Sequence, residues 1–263
     1  MAINKKNLEL INNYVKDYKK NKGTESDWRE PVIGFACADD PMLLELKDII
    51  SPSHAIPTDF INDAKSIIVF FLPFHEEIIK SNIGNIESSR AWDIVNIETN
   101  NLIADINKYM YFKITEMGYT STLLPPTYNY DENRLISDWS HRHVGYIAGI
   151  GKFGINNMFI TEKGCCGRMG SIVTNMPLIP TERIKRENCL YKYNRSCNKC
   201  VDNCVANAIS IENGYPLVNK KRCNDQIYNG NIPEYPIGLG DTCGKCMCNV
   251  PCSLRNPVQS LIK

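Results

Sequence analysis

The sequence contains no uninterrupted apolar segment of about 20 residues, which is the length that a membrane-spanning helix requires. Residues 1–22 are polar and rich in lysine, so they lack the apolar centre of a secretory signal peptide. Low-complexity linkers are also absent, and the only internal repeat is a pair of cysteine motifs. These absences predict a soluble, cytoplasmic protein that has no membrane partner.

Cysteine, in contrast, is abundant: the chain has 12 cysteines. Nine of them lie between Cys189 and Cys252, where a CxxC motif followed by one more cysteine occurs twice. In a reducing cytosol such cysteines are better explained as metal ligands and buried thiols than as disulfides. The repeated spacing is typical of a protein that carries two iron–sulfur clusters.

The two-cluster ferredoxin arrangement assigns eight ligands, because the fourth cysteine of each motif reaches across to the other cluster. The first cluster would take Cys189, Cys197, Cys200 and Cys252, and the second would take Cys204, Cys223, Cys243 and Cys246. Cys248 competes with Cys246, since it lies at the usual three-residue gap before Cys252. We prefer Cys246 because Cys243-Gly-Lys-Cys246 keeps the CxxC loop.

Two structural zinc sites are the alternative, because zinc also binds to CxxC loops. Zinc ribbons, however, normally pair two CxxC motifs about 15 to 20 residues apart and do not interleave a fourth ligand. The sequence therefore predicts two 4Fe-4S clusters. Cys37 in an apolar strand and the adjacent Cys165 and Cys166 at an expected turn are left out of the ligand set.

Charge is unevenly distributed, although the net charge of the whole chain is only +1. Residues 183–263 contain 12 basic and 6 acidic side chains. Two interpretations stay open. The basic residues could neutralise the thiolates of the clusters, or Lys220, Lys221 and Arg222 could attract an acidic redox partner or a nucleic acid.

Apolar periodicity predicts mixed helices and strands before residue 180. We expect helices at 7–19, 98–117 and 138–148, strands at 31–38, 66–73 and 120–124, and a hairpin that pairs 156–161 with 170–174 around Glu162-Lys163-Gly164. This order predicts an α+β or α/β domain whose core is complete before Pro180. We expect two domains, at 1–182 and 183–263.

A glycine-rich turn, Gly149-Ile-Gly151-Lys-Phe-Gly154, follows the expected helix that contains Ser140-His-Arg-His143. It matches GxGxxG, but it follows a helix and precedes a strand, which is the reverse of the nucleotide-binding order. Glycines there allow either a close ligand or a tight turn. The pattern therefore excludes a Rossmann nucleotide site.

The histidine and glycine motifs, then Phe159-Ile-Thr-Glu-Lys-Gly164, Gly170-Ser-Ile-Val-Thr174 and two ferredoxin half-motifs resemble the epoxyqueuosine reductases and the related reductive dehalogenases. The resemblance covers 137–257 most clearly. It implies a nitroreductase-like, cobalamin-binding α/β domain followed by a small ferredoxin-like domain with two 4Fe-4S clusters. It also implies a corrinoid over the glycine turn, close to the first cluster, near His141, Arg142, His143, Gly149, Gly151 and Gly154.

The chain departs from that family at three places. It has Gly154-Ile155 where the family has Gly-Lys, and the position of the family's catalytic aspartate falls near Leu135. Asp138 is the nearest acid; it could be the catalytic proton donor or simply cap the helix. Since the sequence ends at Lys263, before the family's tRNA-contacting extension, tRNA is not expected as a partner.

Two functions therefore remain. The first is a reductase that acts on an unidentified small molecule and receives electrons from an external donor such as ferredoxin or flavodoxin. The alternative is a non-catalytic ferredoxin-type electron carrier or redox sensor with no corrinoid. A corrinoid enzyme needs a large cavity, whereas a carrier needs none.

Overall fold

The computed structural model describes residues 2–261. Its helices are α1 (Ala2–Lys22), α2 (Met42–Ile49), α3 (Pro57–Phe60), α4 (Glu76–Ser81), α5 (Arg90–Glu116), α6 (His141–Ile147), α7 (Leu190–Asn194), α8 (Lys199–Asp202) and α9 (Lys220–Tyr228). Its strands are β1 (Val32–Cys37), β2 (Ser66–Pro73), β3 (Tyr130–Asp131), β4 (Ile136–Ser137), β5 (Gly151–Phe153), β6 (Phe159–Thr161), β7 (Gly167–Thr174), β8 (Ile209–Glu212), β9 (Tyr215–Val218), β10 (Glu234–Tyr235) and β11 (Gly238–Leu239). A 3-10 turn follows at Gln259–Leu261.

The central sheet has the order β1-β2-β7, and both of its ladders are antiparallel. All eight residues of β2 are buried, which explains its continuous apolar sequence. Because successive side chains of a strand point to opposite faces, β2 contributes to two separate hydrophobic cores. Ile68, Phe70 and Leu72 pack with α1 and α5, whereas Ile67, Val69 and Phe71 pack with α2 and α6.

The longest helix is α5, as the sequence predicts, but it begins eight residues earlier than expected, at Arg90. Ser89 caps it, and its hydroxyl accepts a hydrogen bond from the Trp92 backbone N–H at 3.2 Å. Buried residues recur with helical spacing along the whole length, ending at Ile114. Gly118, with a φ of +83°, terminates the helix.

The predictions for α1, β1 and β2 are confirmed, and two others are wrong. Residues 120–124 form only an isolated bridge, Ser121 to Thr174, because Pro125 and Pro126 follow at once. The expected hairpin does not form either: β6 pairs with β5, and β7 pairs with β2. Side-chain packing between neighbouring strands decides such a pairing more than closeness in the sequence does. The buried strand β7 therefore pairs with β2, which lies about 100 residues earlier in the sequence.

The hydrophobic core is not complete before Pro180, contrary to the prediction. The core around α5 also includes later buried residues, among them Cys189, Tyr191, Cys200, Cys248 and Val250. The cysteine-rich segment therefore packs directly on the α+β core. The division between 182 and 183 stays a prediction.

Among the described residues, no helix has the length and apolarity needed to cross a membrane.

Candidate metal centre

The four cysteines assigned to the first cluster line one pocket. This pocket is partly open to solvent and is lined by Cys189, Cys197, Cys200 and Cys252 together with apolar residues such as Leu190 and Val250. The long gap between Cys189 and Cys197 contains the short helix α7, which ends at Arg195 with a φ of +64°. This turn leads the chain back to the pocket, so the unusual spacing is compatible with one site.

The thiols of this pocket are close enough to influence one another. Burial, together with the neighbouring Cys252, Cys189 and Cys197, raises the pKa of Cys200 to about 12. Several thiolates crowded into a buried site repel one another unless a cation compensates them. The electrostatics of the pocket therefore favour a bound metal or cluster.

The cysteines assigned to the second cluster form another mutually interacting set. Burial raises the pKa of Cys246, and Cys243, Cys204 and Cys223 raise it further, followed by Cys200 of the first set. The two sets are therefore adjacent. Cys223 lies on α9 and is exposed, whereas the other three are half-buried.

Cys248 does not join either set. Its side chain is 2% exposed, and Asn82 Nδ2 lies 3.5 Å from its sulfur. The hydrogen bond between Cys248 and Cys166 contributes to the raised pKa of Cys166, whose main cause is burial. This placement supports Cys246 as the ligand and Cys248 as a buried thiol. Between residues 2 and 261, no three His, Cys, Asp or Glu side chains are arranged to hold a single metal ion.

Local backbone features shape the second set. Asn207 adopts a φ of +48°, in the left-handed region that asparagine tolerates better than most residues. This turn brings the Ala208 N–H within 3.2 Å of Cys204 Sγ, to which it donates. Lys245, between Cys243 and Cys246, is 6% exposed, and its ammonium group donates to the Asn82 carbonyl and side-chain oxygens at 3.0 Å. Sequence reasoning missed Lys245, although a lysine inside a CxxC loop was a visible signal.

The predicted cofactor residue His141 is a buried structural residue. Trp139 Nε1 donates to Ser171 Oγ at 2.9 Å, the Ser171 hydroxyl is 2.9 Å from His141 Nδ1, and His141 Nε2 is 3.1 Å from the Pro125 carbonyl. These distances assign Nε2–H as the donor to Pro125 and Nδ1 as the acceptor from Ser171. Both ring nitrogens are therefore occupied within the protein.

His143 also bonds within the protein: its Nδ1 lies 2.7 Å from Ser140 Oγ, and its ring packs against Phe153. Burial, together with Arg142, His54 and Lys220, lowers the pKa of His143 to about 4. His143 is therefore neutral at neutral pH.

The glycine turn is filled by the protein itself. A Cβ on Gly149, whose φ is +74°, would lie 2.6 Å from the Glu182 carbonyl oxygen, and one on Gly151 would lie 2.5 Å from the Ile160 carbonyl oxygen. Gly154 alone borders the pocket of the first cysteine set. On the Cβ side of Gly149 and Gly151 the turn therefore serves close chain packing, and its role under a corrinoid stays a prediction.

Asp138, the predicted catalytic acid, joins three loops. Its carboxylate accepts from Ser53 Oγ at 2.6 Å and from Asn129 Nδ2, and its carbonyl accepts from the Ala55 N–H at 2.7 Å. Helix α6 begins only at His141, so Asp138 is not its N-cap. The geometry is that of a residue that orders the loops beside α6.

Arg142 is a predicted cofactor-binding residue whose side chain is exposed to solvent. The surrounding protein atoms nevertheless lower the pKa of its guanidinium, and the nearby Cys223 opposes that shift. From its exposure to solvent and the many protein atoms around it, we infer that the Arg142 side chain lies in a recess that water can enter. Its Nη1 donates to the Asn157 carbonyl at 2.8 Å.

Arg168, which sequence reasoning missed, shares this recess. Burial lowers its pKa, Asp241 opposes the shift, and Arg142 adds to it. Its Nη1 donates to Asn96 Oδ1 at 3.1 Å. Across residues 2–261, neither arginine makes an ion pair with a carboxylate. The recess beside Cys223 is therefore positively charged.

Acidification is expected to destabilise the protein through His141. Burial lowers its folded-state pKa from 6.5 to about 4. Between these two values the unfolded chain binds more protons, so the stability present above pH 6.5 is lost as the pH falls towards 4. For this one group, the loss between pH 7 and pH 5 is about 2 kcal/mol. His141→Gln can keep both hydrogen bonds but cannot titrate, and urea unfolding at the two pH values should show a smaller difference for it. Equal differences for the two proteins would contradict this assignment.

Neither a protein-family model nor a curated protein matches this chain. Solved structures do match it, and three of them are the following. The epoxyqueuosine reductase of Bacillus subtilis is 21% identical, with a TM-score of 0.51 over 94% of this chain and 66% of its own. A catabolic reductive dehalogenase in complex with 3-bromo-4-hydroxybenzoic acid is 17% identical, with a TM-score of 0.58 over 89% of this chain and 31% of its own. A reductive dehalogenase described as B12-dependent is 16% identical, with a TM-score of 0.57 and the same coverage of 89% and 31%.

These neighbours are the two groups that the sequence resembles, so the predicted resemblance is confirmed at the level of the fold. The chain spans about two thirds of the length of the epoxyqueuosine reductase and about one third of that of the dehalogenases.

Proposed function

We propose that this chain is an iron–sulfur reductase that holds two 4Fe-4S clusters. The carrying observation is the division of eight cysteines into two mutually interacting sets, the same sets that the ferredoxin arrangement assigns. Cys189, Cys197, Cys200 and Cys252 would hold the first cluster, and Cys204, Cys223, Cys243 and Cys246 the second. Bound there, the clusters would supply single electrons at low potential.

Two basic side chains support this assignment by their positions. Four thiolates around a four-iron cluster are anionic, and a buried anionic centre needs compensation. Lys245 lies buried between two ligands of the second cluster, and Cys243 and Cys248 raise its pKa against the lowering effect of burial. Arg142 approaches the same cluster from the recess through Cys223. Both would stabilise the cluster by charge.

We place the electron acceptor, a cofactor or a substrate, in the recess of Arg142 and Arg168. The recess borders Cys223, so an acceptor there would lie beside the second cluster. Two arginines without carboxylate partners favour an acceptor with anionic groups. The corrinoid seat over the glycine turn stays a prediction, and no step is assigned to cobalamin.

The fold supports a reductase, since the structural neighbours are an epoxyqueuosine reductase and reductive dehalogenases. We propose a one-electron donor such as ferredoxin or flavodoxin as the external partner. The second candidate is a ferredoxin-type carrier or sensor without a corrinoid, and the filled glycine turn favours it.

Anaerobic purification with quantified iron, sulfide, zinc and cobalt tests the proposal. Two clusters correspond to about eight iron and eight sulfide per chain and a brown colour that dithionite bleaches. A colourless protein with stoichiometric zinc would contradict the cluster assignment. Hydroxocobalamin, added to the reduced protein, separates the two candidates: binding with a changed cobalt spectrum supports a corrinoid reductase, and no binding favours the carrier.

A further inference from the structure

The segment that contains Cys165 and Cys166 is locked alongside the segment that contains the cluster ligand Cys252. The Cys165 N–H donates to the Cys252 carbonyl at 2.9 Å, and the Cys166 N–H donates to the Ser253 carbonyl at 3.3 Å. Gly164, with a φ of +92°, lets the two segments approach so closely that a Cβ at this position would lie 2.7 Å from the Arg255 backbone nitrogen. The relative position of the two segments is therefore set by the backbone.

This pairing places the Cys165 thiol, which is not an assigned ligand, next to the predicted cluster ligand Cys252. Cys165 Sγ lies 4.0 Å from Cys252 Sγ, and Cys165 is only 1% exposed. Water therefore does not compete for its S–H group, and a partner must lie within the protein.

Three acceptors lie near that S–H group: Cys252 Sγ, the Met247 carbonyl and Cys166 Sγ. The Met247 carbonyl is also 4.0 Å from Cys165 Sγ, but Cys166 Sγ approaches it at 3.2 Å and Ser253 Oγ at 2.7 Å. These closer donors compete with Cys165 for the Met247 carbonyl, although Ser253 Oγ also lies 2.8 Å from the Val250 carbonyl. Cys252, once it ligates a cluster, has lost its proton and can only accept, and its thiolate is a stronger acceptor than the neutral thiol of Cys166.

We propose that Cys165 is a positioning residue that donates an S–H hydrogen bond to the ligand Cys252 and so raises the reduction potential of the first cluster. Hydrogen bonds to ligand sulfurs stabilise the reduced state, because reduction adds negative charge to the cluster. The inference rests on the proposed function and goes beyond it, since it explains how the protein gives the two clusters different reduction potentials.

Replacement of Cys165 by alanine tests it. In an anaerobic redox titration followed by EPR, Cys165→Ala is expected to lower the first cluster's potential and leave the second unchanged. The loss of one hydrogen bond corresponds to about a threefold to tenfold change in the ratio of reduced to oxidised cluster, and tenfold is about 59 mV for one electron. Cys165→Ser keeps an O–H donor and should lie above Cys165→Ala.

Cys166→Ala is the matched control, since Cys166 is 0% exposed and bonds to the Met247 carbonyl instead of a ligand. It should leave both potentials where they are. The inference is overturned if Cys165→Ala shifts neither potential or both equally, or if Cys166→Ala gives the same shift. Iron analysis of the unaltered protein keeps the two ideas apart: without clusters the proposed function fails, whereas clusters without the shift refute only the role of Cys165.

Discussion

Cys200→Ala is expected to halve the iron and sulfide content, from about eight to about four per chain. Cys200 lies in the pocket of the first set, so its loss removes one ligand from one cluster only. Cys204→Ala should cause an equal loss through the second cluster. Because each cluster is lost as a unit, combinations of the two sets distinguish our assignment from any other division of the cysteines.

Two replacements within one set, Cys200→Ala with Cys252→Ala, should lose no more iron than the single change. Two replacements across the sets, Cys200→Ala with Cys204→Ala, should leave almost none. Cys248→Ala is the control, since Cys248 is buried but lies outside both sets. If Cys248→Ala halves the iron and Cys246→Ala does not, the second set is wrongly assigned.

Arg29→Ala is expected to lower the free energy of unfolding by about 3 to 5 kcal/mol, the loss of three hydrogen bonds from a charged donor. Its guanidinium donates to the carbonyls of Phe74 at 2.8 Å, Leu254 at 3.1 Å and Lys163 at 2.7 Å. Burial lowers the pKa of this half-buried arginine, so alanine would leave three carbonyls in a poorly hydrated place. Urea unfolding measures the loss.

Arg90→Ala is the matched control for Arg29. Arg90 forms an exposed, bidentate ion pair with Glu25, and such surface pairs contribute little to the free energy of unfolding because water and salt screen them. Arg29→Lys keeps the charge but not the three-way fork, so its stability should lie between those of the unaltered protein and Arg29→Ala. A loss below 1 kcal/mol for Arg29→Ala would show that Arg29 does not hold these segments together.

Cysteine spacing carried most of the information about the candidate site. A CxxC loop is short, so the residues between the two thiols restrict where both can lie, and the sequence alone separated the two sets. The seven-residue gap after Cys189 was harder to interpret. Only the structure shows that α7 occupies it and returns Cys197 to the pocket.

Other predictions from the sequence were limited where segments that are distant in the sequence meet. The sequence around Gly149 is compatible with a ligand or with a tight turn, and only the structure shows that the Glu182 carbonyl packs against this glycine. Likewise β7 was assigned to its neighbour in the sequence, whereas it pairs with β2. His141 resembled a ligand until Ser171 and Pro125 were seen to occupy both nitrogens.

The sequence by itself determined the helices α1 and α5 and the buried strands β1 and β2, and it predicted the two sets of cysteines. These follow from periodicity and spacing over a few residues, where the backbone limits the possibilities. Only the tertiary structure decided that Arg142 and Arg168 share a recess, that Arg29 joins three segments, and that Cys165 lies against Cys252. Each of these contacts joins segments that are far apart in the sequence. Burial of the whole core brings these segments together, and no local sequence pattern predicts that approach.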